Sequence, residues 1–274
     1  MSLFTIDRER CKRDGICVEE CPIRVIEIEK EEDFPSPGEK AEELCVNCGH
    51  CVTVCPHGAI ALRTMGPESC APIEGELLPG FKNTEHLLKS RRSIRTYKET
   101  PVERETLAKL IDLARYAPSG HNRQPVHWMV IEDTDEVKRL ASLVVDWMRV
   151  MLKEEPEFAL SLHFDRTVDV WGKGIDMILR GAPHIIIAYG LKDLVAAQMA
   201  SVIALAYLEI AAYSRGIGAC WAGYFARAAV SFPPLIQALK LPEGQQVYGT
   251  MMIGYPKYRY HRIPLRNEPE ITWR

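Results

Sequence analysis

The sequence predicts an α+β protein in two unequal units, and three observations carry that reading. Seven of its nine cysteines fall within residues 11–55, in two runs that each end in Cys-Pro. From about residue 83 the pattern changes to long helical stretches alternating with short β-branched runs. One stretch, Asp193 to Arg215, is apolar almost all round. A chain of 274 residues is comfortable for two domains.

The first sixty residues repeat themselves. Each half has a cysteine run, a short helical stretch, Cys-Pro, and then a short apolar strand, Val25 to Ile28 in one and Ala59 to Leu62 in the other. Between the halves, Asp33 to Glu39 is a turn by composition. So small a unit, residues 1–62, has little core, and bound metal must act as its staple. Residues 63–82 are rich in Gly, Pro and Glu without periodicity and read as a linker. Cys70 lies there as a spare thiol. The second unit is residues 83–274. Asn83 or Thr84 can cap a helix through Arg91, and Pro101 precedes a helix with Leu107, Leu110, Ile111 and Ala114 on its apolar side. Strands are predicted at Val126–Ile131, His184–Ala188 and Val247–Ile253, in a mixed or antiparallel sheet. The 193–215 helix, with Val195, Met199, Val202, Ile203, Ala206, Leu208 and Ile210, is expected to be buried on all sides, as a central element or a subunit interface.

Composition narrows the function classes. Hydrophobic residues make up 47% and charged residues 26%, the values of an ordinary globular protein. A net charge of −3 argues against a nucleic-acid partner. Residues 1–62 hold 13 acidic against 7 basic side chains, which leaves the remainder slightly basic. The N-terminus lacks a basic segment followed by an apolar one, so no signal peptide is expected. The longest uncharged apolar run, Leu194 to Leu208, is short for a helical membrane span, so no membrane partner is expected. Clustered cysteines without a secretion signal read as metal ligands in a reducing cytoplasm, not as disulfides.

The second run is Cys45-x2-Cys48-x2-Cys51-x3-Cys55-Pro56. That spacing is an iron–sulfur signature in which the fourth cysteine serves the other cluster of a pair. Cys45-x2-Cys48 alone would fit a zinc knuckle, but the third cysteine and the Cys-Pro fit zinc poorly. The first run, Cys11, Cys17 and Cys21-Pro22, keeps the register and carries Asp14 where a cysteine would stand.

On these residues the first domain resembles the bacterial two-cluster ferredoxins over residues 1–62. The resemblance implies a βαββαβ fold with crossed ligands. One 4Fe–4S cluster would take Cys21, Cys45, Cys48 and Cys51. The other would take Cys11, Cys17, Cys55 and Asp14, where an oxygen ligand holds the fourth iron or its loss leaves 3Fe–4S.

Three stretches of the second unit draw attention for their charge chemistry. Arg91-Arg92-Ser93-Ile94-Arg95 offers guanidinium forks and a hydroxyl suited to phosphate, although a basic run at a helix end also suits the dipole and water. Pro118, Ser119, Asn122 and Gln124 lie in a shaped loop whose amides suit a pyrimidine edge. Arg259, His261, Arg262 and Arg266 crowd the C-terminal tail.

In this order, and with Gly216-Ile-Gly218-Ala-Cys220-Trp221-Ala-Gly223 after the long helix, they make residues 83–274 resemble the nitroreductase family of FMN-dependent oxidoreductases. That resemblance implies an α+β sandwich, a mixed sheet flanked by helices, in an intertwined homodimer with FMN at the interface. Arg91, Arg92, Ser93 and Arg95 would hold the FMN phosphate and ring edge. Pro118, Ser119, Asn122 and Gln124 would meet the flavin ring, with Asn122 bonding it. Arg262 and Arg266 would reach the phosphate, and backbone at Ala222 and Gly223 would lie near the reactive edge. Many relatives carry Pro-x-Glu-Gly there, where this chain has Trp221-Ala222-Gly223-Tyr224.

The expected function is electron transfer from the clusters to FMN and on to a small organic acceptor, such as a nitroaromatic or a quinone. A redox protein of ferredoxin type, or NAD(P)H, would be the donor. Two other readings stay open. One is an NAD(P)H-driven nitroreductase with a regulatory ferredoxin module, and the other is a non-catalytic electron-transfer or redox-sensing protein. No catalytic side chain is singled out. His184, Trp128, Trp147, Trp171 and Cys220 are expected to pack.

Overall fold

The computed structural model describes residues 2–274 and divides into two compact units. The first takes the stretch up to Leu78 together with Gly120–Arg123, and the second takes Pro79–Ser119 and Gln124–Arg274.

The first unit runs β1 (Phe4–Ile6), α1 (Ile16–Glu19), β2 (Ile26–Glu27), β3 (Ser36–Pro37), α2 (Ala41–Leu44), α3 (His50–Val54) and β4 (Ile60–Leu62). The order contains one short helix more than βαββαβ. β1 pairs with β4 and β2 with β3, both antiparallel. The repeat extends to the backbone. Arg13 and Asn47 take left-handed conformations at φ 58° and 51°, Gly15 and Gly49 at 74° and 77°, and Arg24 and Gly58 at 57° each. Each pair is 34 residues apart, as are Cys11 and Cys45. Gly15 and Gly49 start α1 and α3, so each helix is entered by a turn that positive φ makes tight. Leu3, Phe4, Val25, Ile26, Val52, Ile60 and Leu62 form a small core that Cys17, Cys21 and Cys51 complete. Met65 and Cys70 pack onto it, half-buried, and single turns of 3-10 helix form at Pro67–Ser69 and Gly75–Leu77. The segment read as a linker thus folds in part onto the first unit, held by apolar contacts that its Gly- and Pro-rich composition does not advertise.

The second unit runs α4 (Phe81–Ser90), α5 (Arg104–Ala114), β5 (His127–Ile131), α6 (Thr134–Glu154), α7 (Pro156–Ser161), α8 (Phe164–Gly172), β6 (His184–Leu191), α9 (Val195–Ser214), β7 (Gly218–Trp221), α10 (Gly223–Ser231), α11 (Pro233–Leu239) and β8 (Gln245–Gly254). Gly80, not Asn83 or Thr84, is the residue preceding α4. The sheet has the order β5-β6-β8-β7, and every pairing in it is antiparallel. Among the described residues this corrects the mixed sheet implied by resemblance: hydrophobic pattern carries no strand direction, which is set by the ends that the helical connections join. β6 is an unbroken apolar run because both its faces are covered. Ile185 and Ile187 join the layer of α6, α8 and α10, while Ile186 and Ala188 join that of α5 and α9.

α9 is buried by its own chain on one face only. Leu205, Leu208 and Ala212 pack against the sheet and α5, and Ala197 and Ala204 are buried, but Val195, Met199, Val202 and Tyr207 are exposed, the first at 93%. Apolar sequence states that water is to be excluded, not which chain excludes it. α9 also has the length and composition of a membrane span, with 44% of that window buried within the chain.

His184 opens β6 and is buried. Its Nε2 accepts the Val102 N–H at 2.9 Å and its Nδ1 lies 2.9 Å from the Glu132 carbonyl oxygen, which fixes a neutral ring with the proton on Nδ1. Burial pushes its pKa below the ordinary 6.5. The unfolded chain therefore binds more protons in that window, so stability is full above about pH 6.5 and is lost as pH falls below it. Denaturant midpoints across pH 5.5–7.5 should show this loss, and a His184→Gln variant should show a flatter profile than the native chain.

Candidate functional site

The first unit encloses two cavities that sort the cysteine runs. One is lined by Cys21, Cys45, Cys48 and Cys51, walled by Phe4, Ile23, Ile26 and Leu62. The other is lined by Cys11, Asp14, Cys17 and Cys55, with His57 and Ile60. Each set thus mixes the two runs: Cys21 faces the cavity of the second run, and Cys55 that of the first. The structure keeps Cys21 and Cys55 in place through the residue four further on, whose backbone N–H donates to the sulfur: Val25 to Cys21 and Ala59 to Cys55, each at 3.4 Å.

The thiols of both cavities are buried and crowded together. Burial pushes the Cys17 thiol up to about 11, and Cys55 and Cys11 push it further in the same direction. Burial likewise pushes Cys51 up to about 11, aided by Cys48, Cys21 and Cys45. Thiolates crowded this way repel one another unless iron supplies the opposing charge. No group of three or more His, Cys, Asp or Glu among the described residues is placed to hold a single metal ion. Each four-residue set lines one cavity. All nine cysteines are free thiols. The residues present fit iron–sulfur clusters.

In the second unit, the arginine-rich loop lies along β7, where the Ile94 N–H donates to the Ala219 carbonyl at 2.9 Å. Gly218 permits that approach, since a Cβ there would stand 2.6 Å from Ile94. Arg91 reaches into the body and donates to Glu209 Oε1 at 2.6 Å. Trp221 Nε1–H lies 3.4 Å from the other oxygen of the same carboxylate. Glu209 is 7% exposed. Both carboxylate oxygens thus find donors, as a buried polar group requires. Next to this group, burial pushes the Cys220 thiol up against the opposing pull of Arg95, Arg180 and a hydrogen bond with Ser93. Arg91, Ser93, Arg95, Arg180, Glu209 and Trp221 therefore surround the end of β7.

The strand leads directly into the N-terminus of α10. Ala222 is locked by two bonds with Thr250: its N–H donates to the Thr250 carbonyl at 3.0 Å, and Thr250 Oγ1 donates to the Ala222 carbonyl at 2.9 Å. Gly223 then begins α10 and presents a helix N-terminus, where electron-rich groups are favoured. Three guanidiniums, a hydroxyl and a helix N-terminus fit a flavin phosphate and ring edge. Of the five N–H donors of Arg91, one serves Glu209, so the others can serve a ligand.

The remaining site candidates lie elsewhere. Arg92 and Arg262 line an open cavity of 1610 Å³ with Tyr213, Tyr255 and Tyr258. Ser119 and Gln124 line a separate cavity of 400 Å³ beside Trp128, and Ser119 Oγ accepts the Gln124 N–H at 2.9 Å. Pro118 is exposed on the same loop. Asn122 falls in the segment that belongs to the first unit, where its Nδ2 donates to the Asn47 carbonyl at 2.9 Å. His121, Asn122 and Gln124 hold φ of 52°, 51° and 45° without being glycine, a strain typical of functional loops. Arg266 is exposed in the tail.

Sequence reading missed Glu209, Arg180 and His57. A lone acid within an apolar helix was the available signal for Glu209, because such a group is retained only if paired. Arg180, in a left-handed turn, and His57 gave none.

Comparison with known proteins bears on both units. A family model described as Nitroreductase family matches residues 88–255, and one described as a 4Fe-4S dicluster domain matches residues 9–60. The chain is 29% identical over 197 residues to a 4-nitrobenzoate reductase of Pseudomonas putida, covering 61% of this chain and 82% of that protein. It is 28% identical over 180 residues to an FMN reductase (NAD(P)H) of Bacillus subtilis, covering 65% and 67%. A nitroreductase with bound FMN from Desulfitobacterium hafniense superposes with a TM-score of 0.57 at 20% identity, over 69% of this chain and 97% of that one. At that identity the likeness is one of fold.

Proposed function

The chain belongs to the nitroreductase family and carries a 4Fe-4S dicluster domain at its N-terminus, and from that premise we propose that it is an FMN-dependent oxidoreductase whose clusters feed electrons to the reduction of a small organic acceptor. When bound, the clusters exchange single electrons and FMN couples them to two-electron chemistry at the acceptor. The observation that carries the reading is the pair of cavities, each ringed by four candidate ligands drawn from both runs. A vestigial module would have no reason to keep both sets complete.

The chain's own residues have distinct tasks in this reading. Arg91, Ser93, Arg95 and Arg180 supply donors and positive charge to the flavin. Glu209 holds Arg91 and Trp221 in place. The Ala222–Thr250 lock fixes the backbone that leads to Gly223, near the reactive edge. A nitroaromatic or quinone is a fitting acceptor, since the Pseudomonas putida relative is named for a nitroaromatic acid. The exposed stripe of α9 fits a second copy of the chain, with FMN between the two. Cysteines serving as cluster ligands suit a reducing compartment.

Anaerobic single-turnover kinetics test the electron route. Holoprotein mixed with a reduced ferredoxin should bleach its flavin rapidly, and Cys48→Ser should fall to the background rate. If NAD(P)H bleaches the flavin quickly and Cys48→Ser turns over an acceptor as fast as the native chain, the route is wrong and the clusters are not the input.

A further inference from the structure

The two cavities of the first unit are related by the 34-residue repeat, and two of the matched positions at which they differ bear on the non-thiolate corner. Where the all-thiol cavity has Cys48, the other has Asp14. Where the all-thiol cavity has Ile23, two residues after Cys21, the other has His57, two residues after Cys55. At this position the imidazole lines the cavity with the carboxylate and the aliphatic side chain the all-thiol one, whereas at the start of the short helices the order is reversed, with His50 in the all-thiol cavity and Ile16 in the other.

The backbone around Asp14 is that of a ligand position. The flanking residues Arg13 and Gly15 share the left-handed conformations of Asn47 and Gly49, which flank Cys48. A carboxylate oxygen lies one bond further from Cβ than a cysteine sulfur, and metal–oxygen bonds are about 0.2 Å shorter than metal–sulfur ones in comparable sites. Aspartate can therefore meet iron from that backbone only if its carboxylate is turned and held. The structure provides two holds. Asp14 Oδ1 accepts the Ile16 N–H at 3.3 Å, and His57 Nε2 stands 3.5 Å from Oδ2. Both side chains keep about a third of their surface open, so the holds, not burial, define the carboxylate's direction.

We infer that His57 is a positioning residue for the non-thiolate corner of this cluster, holding Asp14 over the fourth iron and slowing that iron's loss. The inference rests on the reading of this cavity as a cluster site with Asp14 as ligand. Hydrogen-bond partners of metal ligands govern metal retention by about 10- to 100-fold in comparable sites. Ile23 needs no such role, because a thiolate bonds iron without an orienting partner.

The test is the rate of iron release to a chelator from the anaerobically purified holoprotein, with EPR following the three-iron product. His57→Ile, which copies the matched position, should release the fourth iron about tenfold faster. His57→Gln, which keeps an N–H donor, should stay close to the native rate. In an Asp14→Cys background His57→Ile should change nothing, because the thiolate needs no hold. Equal acceleration in both backgrounds would make His57 a mere packing group and overturn the inference, as would native release from His57→Ile. If Asp14→Cys itself releases iron no more slowly than the native chain, Asp14 is not a ligand, and the inference falls together with the reading beneath it.

Discussion

Cys21→Ala is expected to destroy the same cluster as Cys48→Ala, although the two residues belong to different runs. Both line one cavity, and Cys55 lines the other with Cys11 and Cys17. Losing one thiolate of a four-ligand set should remove about four of about eight irons per chain. It should also lower the stability of the first unit severely, since its core is small and bound metal contributes folding free energy directly. Iron counting and low-temperature EPR check the pairing. Cys21→Ala and Cys48→Ala should leave one common residual spectrum, and Cys55→Ala and Cys11→Ala another. Residual spectra that pair Cys21 with Cys11 instead would mean that each run binds its own cluster.

Glu209→Ala should be the most damaging single change in the second unit. It takes the carboxylate acceptor from the Arg91 guanidinium and from the Trp221 indole N–H. Removing one partner of a buried ion pair costs about 3–5 kcal/mol. For a unit of this size that corresponds to a fall of about 10 °C in its melting temperature. Flavin affinity should fall too, because Arg91 loses its direction. Glu209→Gln retains acceptor and shape and should sit between the two. The double change Arg91→Met with Glu209→Leu should recover most of the stability, since apolar replacement of a buried pair is often neutral, while flavin binding stays impaired. Thermal unfolding and flavin titration read the two effects separately. Native stability in Glu209→Ala would show that the pair contributes nothing to the fold.

The difference between these residues explains what could be read in the chain before it was folded. Metal ligands announce themselves because the geometry of a cluster demands thiolates at short fixed spacings, so Cys45, Cys48, Cys51 and Cys55 carry their chemistry in one line. The arginine-rich loop was visible for a similar reason, as several charged groups sit within five residues. Glu209 was not, because its partners Arg91 and Trp221 lie 118 and 12 residues away and meet only across the fold. Arg180 joins the same group from a turn that shows no motif, and Asn122 takes a backbone partner in the first unit that local pattern cannot supply.

Sequence by itself determined the cluster module, its repeat, the α+β class of the second unit and the position of three of its four described strands, Gly218–Trp221 being too short and too glycine-rich to show, because local spacing and periodicity are properties of short segments. Tertiary structure alone decided the all-antiparallel sheet order, the uncovered face of α9, the pairing of Glu209 and the placement of His57 against Asp14. Those depend on which distant segments come together, and contacts between residues far apart in the chain leave no mark in the spacing of either one.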